Sequence, residues 1–289
     1  MQFLELVELR LDYVQGYHSA NHYRETRLMA ARWVKEWPEV EADAISLEMV
    51  ERFLLARQKK SAIAANKEIR YLKSLFNWGK KRAYCASNPI QGIPFFPTMK
   101  RVKQVPSPGD MERLLSVAEG DDRDYILVLR DTLARVNEVN QMLWSDVFFA
   151  DGYVVLYTRK KKGGHLTPRK VFMTARLRAC LEARYARKRQ HDKWVFTHRY
   201  YSRNKKRWVT GPYLDRKTLM ARLCKKAGLE YFRYHAIRHS GASALEKAGV
   251  SISAIQHILG HESRLTTEIY LHVVGNAEQE AMRVFERLK

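Results

Sequence analysis

At 289 residues the chain is long enough for about two domains, and a composition 46% hydrophobic and 11% aromatic excludes a mainly disordered protein. Lys and Arg outnumber Asp and Glu by 52 to 31, a formal charge of +21, so a polyanion, nucleic acid first, is the expected partner rather than an acidic small molecule. The excess is only +4 over residues 1–98 and +17 over residues 99–289, which places most of the polyanion-facing surface in the second part.

In chain order, the N-terminal MQFLELVELRLDY carries glutamates where a signal peptide carries positive charge. No apolar run approaches the length needed to span a bilayer. Residues 22–37 place Tyr23, Leu28, Ala31 and Val34 near a helical period, and Pro38 ends the run. Asp43–Lys60 reads as an amphipathic helix with Ser46 as N-cap and Leu47, Val50, Phe53 and Leu54 on its apolar face. Ser61–Tyr84 is a further helix, with a buried stripe of Ile63, Ile69, Leu72, Leu75, Phe76 and Trp78. Residues 1–98 are therefore expected to form a helical bundle. Five of the eight prolines fall between Asn88 and Gly109, interleaved with Lys100, Arg101 and Lys103, so residues 99–109 read as a basic, semi-extended linker.

Beyond the linker, Pro108–Ala118 and Asp122–Leu143 are helical by period, and Trp144–Val147, Gly152–Thr158 and Val171–Met173 have strand character around a basic turn. From Thr174 onward the pattern is helical, with Gly249 and Gly260 placed as C-terminal stops. The fold class expected is mainly α with a small antiparallel β-sheet, in two domains. Cys85, Cys180 and Cys224 lack CxxC spacing, so neither a disulfide framework nor a thiolate zinc site is expected, and reduced thiols suit a cytoplasmic protein.

Three segments carry residues with chemistry: Thr132 to Glu138 (TLARVNE), His235 to His239 (HAIRH), and Leu259 to His261 (LGH) with Tyr270 nine residues beyond the histidine. Arg135 and Glu138 are three apart in an expected Asp131–Leu143 helix and can form an ion pair. His235 and Arg238 leave one helix face together and suit a phosphate, and the small residues Ser240, Gly241, Ala242 and Ser243 permit close packing behind them. His235/His239 and His257/His261 have the i,i+4 spacing of a metal pair, but no third ligand has matching spacing and Gly260 interrupts the second pair. Tyr270 can be a core aromatic or, among cations, a nucleophile; Thr266 or Thr267 can cap its helix. Residues 158–193 hold 13 Lys and Arg against two acids, read as phosphate-positioning or solvated charge.

In order and spacing this set resembles the tyrosine recombinases, also called phage-type integrases, across nearly the whole chain: an R-x-x-E box at Arg135 and Glu138, a hairpin lysine at Lys160, H-x-x-R at His235 and Arg238, L-G-H ending at His261, and Tyr270. One departure is Leu133, where a glycine is common after the threonine, which implies altered packing. The resemblance implies a core-binding domain over 1–98 and a catalytic domain over 110–289. It implies a Tyr270 nucleophile forming a 3′-phosphotyrosyl link, Arg135 and Arg238 on the nonbridging phosphate oxygens, His235 assisting proton removal and His261 donating to the phosphate. Lys160, ahead of Lys161, protonates the leaving 5′-oxygen, and Glu138 orients its neighbours. Neither metal nor cofactor is expected. The expected partner is double-stranded DNA, with four protomers on paired sites and a monomer or weak oligomer when free. The C-terminal Asn276–Lys289 is expected to dock on a neighbouring catalytic domain. The rival readings are a type IB topoisomerase-like relaxation of DNA, a non-catalytic DNA-binding regulator and a zinc-dependent nuclease.

Overall fold

A computed structural model describes residues 1–99, 104–159, 165–188, 192–272 and 285–287, with the backbone alone at 159 and 269–272. These residues divide into two compact units, one within 1–99 and one from 104 onward. The first is all helical: α1 (Phe3–Tyr17), α2 (Ala20–Glu36), α3 (Leu47–Gln58) and α4 (Ala62–Lys80). Ser19, Ser46 and Ser61 cap α2, α3 and α4, each hydroxyl accepting the backbone N–H three residues on. The core holds Phe3, Leu6, Trp33, Phe53, Leu72 and Phe76. Helix α1 has no counterpart among the expected elements, although Phe3, Leu6, Val7, Arg10 and Val14 make a regular buried face. Helix α4 stops at Lys80 rather than Tyr84, and Ala83 in the following turn has φ +58°.

The second unit begins with α5 (Pro108–Val117), where Ser107 and Asp110 cap each other reciprocally. Then come α6 (Gly120–Thr132), α7 (Val136–Asn140), β1 (Val147–Phe148), β2 (Tyr153–Arg159), β3 (Leu166–Phe172), α8 (Ala175–Ala186), β4 (Thr197–Ser202), β5 (Arg207–Pro212), α9 (Lys217–Lys226), α10 (Tyr234–Lys247), α11 (Ile252–Leu259) and α12 (Arg264–His272). Strands β1, β2 and β3 form an antiparallel sheet in that order, with Val154 opposite Val171 and Leu156 opposite Arg169. The main core joins α6 to the sheet and α10 through Tyr125, Val128, Val154, Leu156, Phe196 and Ile237. A smaller cluster of Leu133, Ala242, Ile255 and Leu259 closes α10 against α11. The fold is mainly α with small antiparallel sheets, as expected, and no described helix is long and apolar enough to cross a membrane.

Five expectations are corrected. The single helix over Asp122–Leu143 is broken at Leu133, which adopts φ +49° and ψ 31°. Trp144–Asp146 is a 3₁₀ turn before a two-residue strand, and the third strand starts at Leu166 rather than Val171. The region after Thr174 is not helical throughout, because β4 and β5 pair as a hairpin. Arg184, among the basic residues expected to be solvated or on phosphate, instead ion-pairs with Asp121 and Asp124 and donates to the Val195 carbonyl at 2.7 Å.

Candidate active site

The break at Leu133 sets up the first part of the site. A β-carbon disfavours positive φ, yet Leu133 holds it while its side chain fills the space over Gly241, where an added Cβ would lie 2.2 Å from Leu133 Cδ2. The small residue behind the site, anticipated from the sequence, is thus the counterpart of the leucine that departs from the family pattern. The chain then turns so that Arg135 is the N-cap of α7 rather than an interior helical residue. Glu138, three residues on, accepts the Arg135 backbone N–H at 2.9 Å and its Nη1 at 2.8 Å. The expected ion pair is present, formed across a helix cap.

The Glu138 side chain is only 4% exposed. Besides Arg135, it accepts the Thr158 hydroxyl from β2 at 2.5 Å and Nη2 of Arg169 from β3 at 2.7 Å. Burial pushes its carboxyl up, but the Arg169 hydrogen bond and charge, the Thr158 hydroxyl and the Arg135 amide outweigh that and hold it down at about 2. Arg135, Glu138, Thr158 and His235 line one wide cavity of about 1080 Å³, together with Lys193 and Tyr234. His235 stands exposed in the first turn of α10, its ring 4.9 Å from that of His239.

The second part of the site is the C-terminal end of α11. The last carbonyls of a helix lack intrahelical partners and carry the negative end of its dipole. Here the Ile258 carbonyl accepts Nε of Arg169 at 2.9 Å, and the Leu259 carbonyl accepts Nη2 of Arg238. Arg238 is 1% exposed and also donates Nη1 to the Leu133 carbonyl at 2.6 Å, so the H-x-x-R arginine ties the L-G-H end of α11 to the turn before Arg135. Gly260 terminates α11 in the left-handed conformation, φ 62°. His261 follows, 7% exposed, with Nδ1 3.0 Å from the hydroxyl of the fully buried Thr267.

Four expected site residues, Arg135, Glu138, Arg238 and His261, are therefore linked through two helix-end carbonyls and one shared carboxylate. Tyr270 lies on α12, three residues after Thr267 and outside the residues whose side chains are described. Lys160 and Lys161 lie outside the described residues, as does most of Asn276–Lys289. Helix α12 begins at Arg264, so Thr266 and Thr267 fall within its first turn, and Thr267 supports His261 rather than capping the helix. His257 and His261 do not share a helix, because α11 ends at Leu259. Among the described residues no group of three or more His, Cys, Asp and Glu side chains is placed to hold a metal ion.

Sequence reasoning missed Thr158 and Arg169, and gave Thr267 a capping role in place of its bond to His261. Arg169 had a signal: it lies two residues before the buried Val171, so on a strand both point to one face. A strand begun at Val171 hides it.

Comparison with known proteins adds what the geometry alone does not give. The family model described as the phage integrase family matches residues 107–276. The chain is 26% identical over 238 residues to a tyrosine recombinase of Pseudothermotoga lettingae, covering 81% of this chain and 79% of that one. Its fold is similar to that of the Tn1549 transposon integrase solved with a circular-intermediate DNA, with a TM-score of 0.74 and 18% identity over all of both chains. It is also similar to a lambda integrase solved as a tetramer on a Holliday junction, with a TM-score of 0.68 and 15% identity over 91% of this chain and 78% of that one. With the family model spanning more than half its length, on the unit that carries both arginine boxes and the L-G-H turn, the chain belongs to the phage integrase family, the tyrosine recombinases.

Proposed function

We propose that this protein is a site-specific DNA recombinase that breaks and rejoins duplex DNA through a covalent bond at Tyr270. The observation that carries the reading is the linkage of Arg135, Glu138, Arg238 and His261 around the end of α11, on the unit whose α12 bears the tyrosine. The Tyr270 phenolic oxygen attacks a backbone phosphorus; a phosphorus–oxygen bond to tyrosine forms as the bond to the 5′-oxygen breaks, leaving a 3′-phosphotyrosyl link. The phosphoester energy is conserved in that link, so attack by a 5′-hydroxyl reverses the step without a nucleotide cofactor.

Negative charge builds on the nonbridging oxygens in the transition state, and preorganised guanidinium groups stabilise it without reorienting. Arg135, held by Glu138 on the open cavity, and Arg238 take that role; Arg238, buried with both Nη groups on backbone carbonyls, turns to the phosphate when DNA binds. His261 donates a further hydrogen bond. A tyrosine hydroxyl is mostly protonated at neutral pH, and His235, on the same cavity as Arg135, accepts its proton. Lys160 protonates the departing 5′-oxygen. The two arginines and the lysine supply the positive charge that the reaction needs, so cleavage proceeds in the presence of a chelator.

The first unit acts as the core-binding domain and the second as the catalytic domain. The +17 charge beyond residue 98 draws the second to phosphate. Double-stranded DNA is the partner, and four protomers assemble on paired sites in the cytoplasm. The test is covalent capture: wild-type protein incubated with a random-sequence pool of nicked duplexes yields a denaturant-resistant protein–DNA adduct, and Tyr270→Phe loses the adduct while retaining DNA binding. An adduct that survives in Tyr270→Phe overturns the assignment. Plasmid relaxation without joined products places the protein among topoisomerase-like enzymes instead.

A further inference from the structure

Arg169 uses each nitrogen of its guanidinium for a different segment. Nη2 reaches the Glu138 carboxylate, which the Arg135 box supplies, and Nη1 reaches the Thr158 hydroxyl on β2 at 3.0 Å. Nε reaches the Ile258 carbonyl at the end of α11, 89 residues away in sequence. The side chain is 9% exposed. It also runs directly under the glycine of the L-G-H turn: a Cβ at Gly260 would lie 2.9 Å from Arg169 Cδ and 3.2 Å from Nη1.

Two features separate this from ordinary packing. Glu138 divides its oxygens, Oε1 to the Arg135 side chain and Oε2 to Arg169, so Arg169 fixes the carboxylate whose other edge aims Arg135. The same guanidinium sets the last turn of α11, from which His261 follows within three residues of Ile258. A planar fork with donors in three directions can do both, whereas the single ammonium of lysine cannot.

We propose that Arg169 is a positioning residue of the recombinase: it locks Glu138 and the end of α11 to one guanidinium, and so holds Arg135 and His261 at a fixed separation for the transition state. The inference rests on the recombinase reading above. Arg169 itself touches no reacting atom.

The test compares wild type, Arg169→Lys and Arg169→Met on a nicked duplex recovered from the random pool by wild-type protein. DNA affinity is expected to stay within about threefold of wild type, while the single-turnover cleavage rate falls roughly 10- to 100-fold, the scale of a small misplacement of catalytic groups. Without Arg169, Glu138 loses the charge and hydrogen bond that do most to hold its carboxyl down, so it titrates higher and the defect of Arg169→Met grows as pH falls from 8 to 5. In a Glu138→Gln background that growth disappears, and Arg169→Met adds little further loss. A cleavage rate and pH profile unchanged in Arg169→Lys overturn the proposal, as does full additivity of Arg169→Met with Glu138→Gln. Unfolding of both variants at the assay temperature overturns it too, since it reduces Arg169 to a folding residue. If wild-type protein captures no duplex, the recombinase reading falls first and this inference with it; capture by wild type with undiminished cleavage by the variants sinks the inference alone.

Discussion

Glu68 in the first unit and Glu138 in the second are both buried carboxylates that take donors from several side chains. Glu68, 1% exposed, accepts Arg32 Nε at 2.9 Å and Trp33 Nε1 at 2.8 Å, with Arg57 Nε at 3.5 Å. All of those donors sit on α2 and α3, helices of the same bundle that are packed around α4. Glu138 takes its donors from its own helix cap, from β2 and from β3, and it lines the wide cavity that His235 shares. The first carboxylate joins three helices of one bundle, and the second joins a helix cap to two strands on the wall of an open cavity. Burial and ion pairing are common to both, so they do not mark a site by themselves. A place on an open cavity beside other titratable groups does.

The comparison breaks most sharply at Glu68. Replacing it with leucine strands the Arg57, Arg32 and Trp33 donors, and breaking a buried pair by removing one partner typically costs about 3–5 kcal/mol. The expected outcome is a loss of that order in the first unit, followed by denaturation of the tryptophan signal, with cleavage per folded molecule unchanged. A loss below about 1 kcal/mol means that water replaces the carboxylate easily and that the two sites are not alike in energy.

Glu138 offers the next largest effect, through pH. Its folded value is depressed from 4.5 to about 2, so the stability it contributes is fully present above the unfolded value and is lost as pH falls from about 5 to 2. A shift of that size corresponds to about 3 kcal/mol in the second unit. Equilibrium denaturation at several pH values checks it: Glu138→Gln flattens the acid limb, and an unchanged slope in that variant counts against the assignment.

How much of this was legible in the sequence follows from what each feature depends on. Ser46 as a helix cap, the apolar stripe of α4 from Ile69 to Trp78 and the Arg135, His235–Arg238 and Leu259–His261 motifs are local patterns, and each is found at or within a few residues of its expected place, whereas Ile63, expected in the same stripe, is exposed in the first turn of α4. Helix α1 was masked by Arg10, which interrupts an otherwise apolar face and is buried against Ser74 through Nη2 at 2.9 Å. The β4–β5 hairpin was hidden by the charged residues between its short strands. The break after α6 has no local signal, because the left-handed position holds a leucine where turn chemistry favours glycine or asparagine. Thr158, Arg169 and Thr267 serve the site only through contacts, and for Arg169 those contacts span up to 89 residues, beyond the reach of a period or a motif.

The Leu133–Gly241 contact turns that break into a measurable coupling. An alanine at Gly241 meets Leu133 at 2.2 Å, and overpacking of this kind costs roughly 1–3 kcal/mol. In a Leu133→Gly background the obstacle is gone, so the penalty for Gly241→Ala is expected to shrink to a few tenths of a kcal/mol, the interaction that touching residues show in a double-mutant cycle. Equal penalties in both backgrounds sever the proposed link between the family departure at Leu133 and the small residue facing it.

The smallest effect separates the two units most finely. Ser46 caps α3 in the first and Ser251 caps α11 in the second, accepting the Met49 and Ala254 amides at 3.2 and 3.3 Å. Removal of either hydroxyl by substitution with alanine leaves an orphan amide and costs about 1 kcal/mol. Thermodynamically the variants are twins. Helix α11, however, is eight residues long, and its far end presents the carbonyls that Arg169 and Arg238 grip, so fraying at its start loosens a short rod whose other end sets His261. Ser46→Ala is expected to leave cleavage of the captured duplex at the wild-type rate. Ser251→Ala is expected to slow it by about two- to fivefold at equal DNA affinity, a modest version of the losses that follow misplaced groups. Single-turnover rates, measured at a temperature where both variants are fully folded, decide it: matching rates mean that α11 is held from its C-terminal end alone, by the two arginines, and that its cap matters no more to the chemistry than a cap in the first unit.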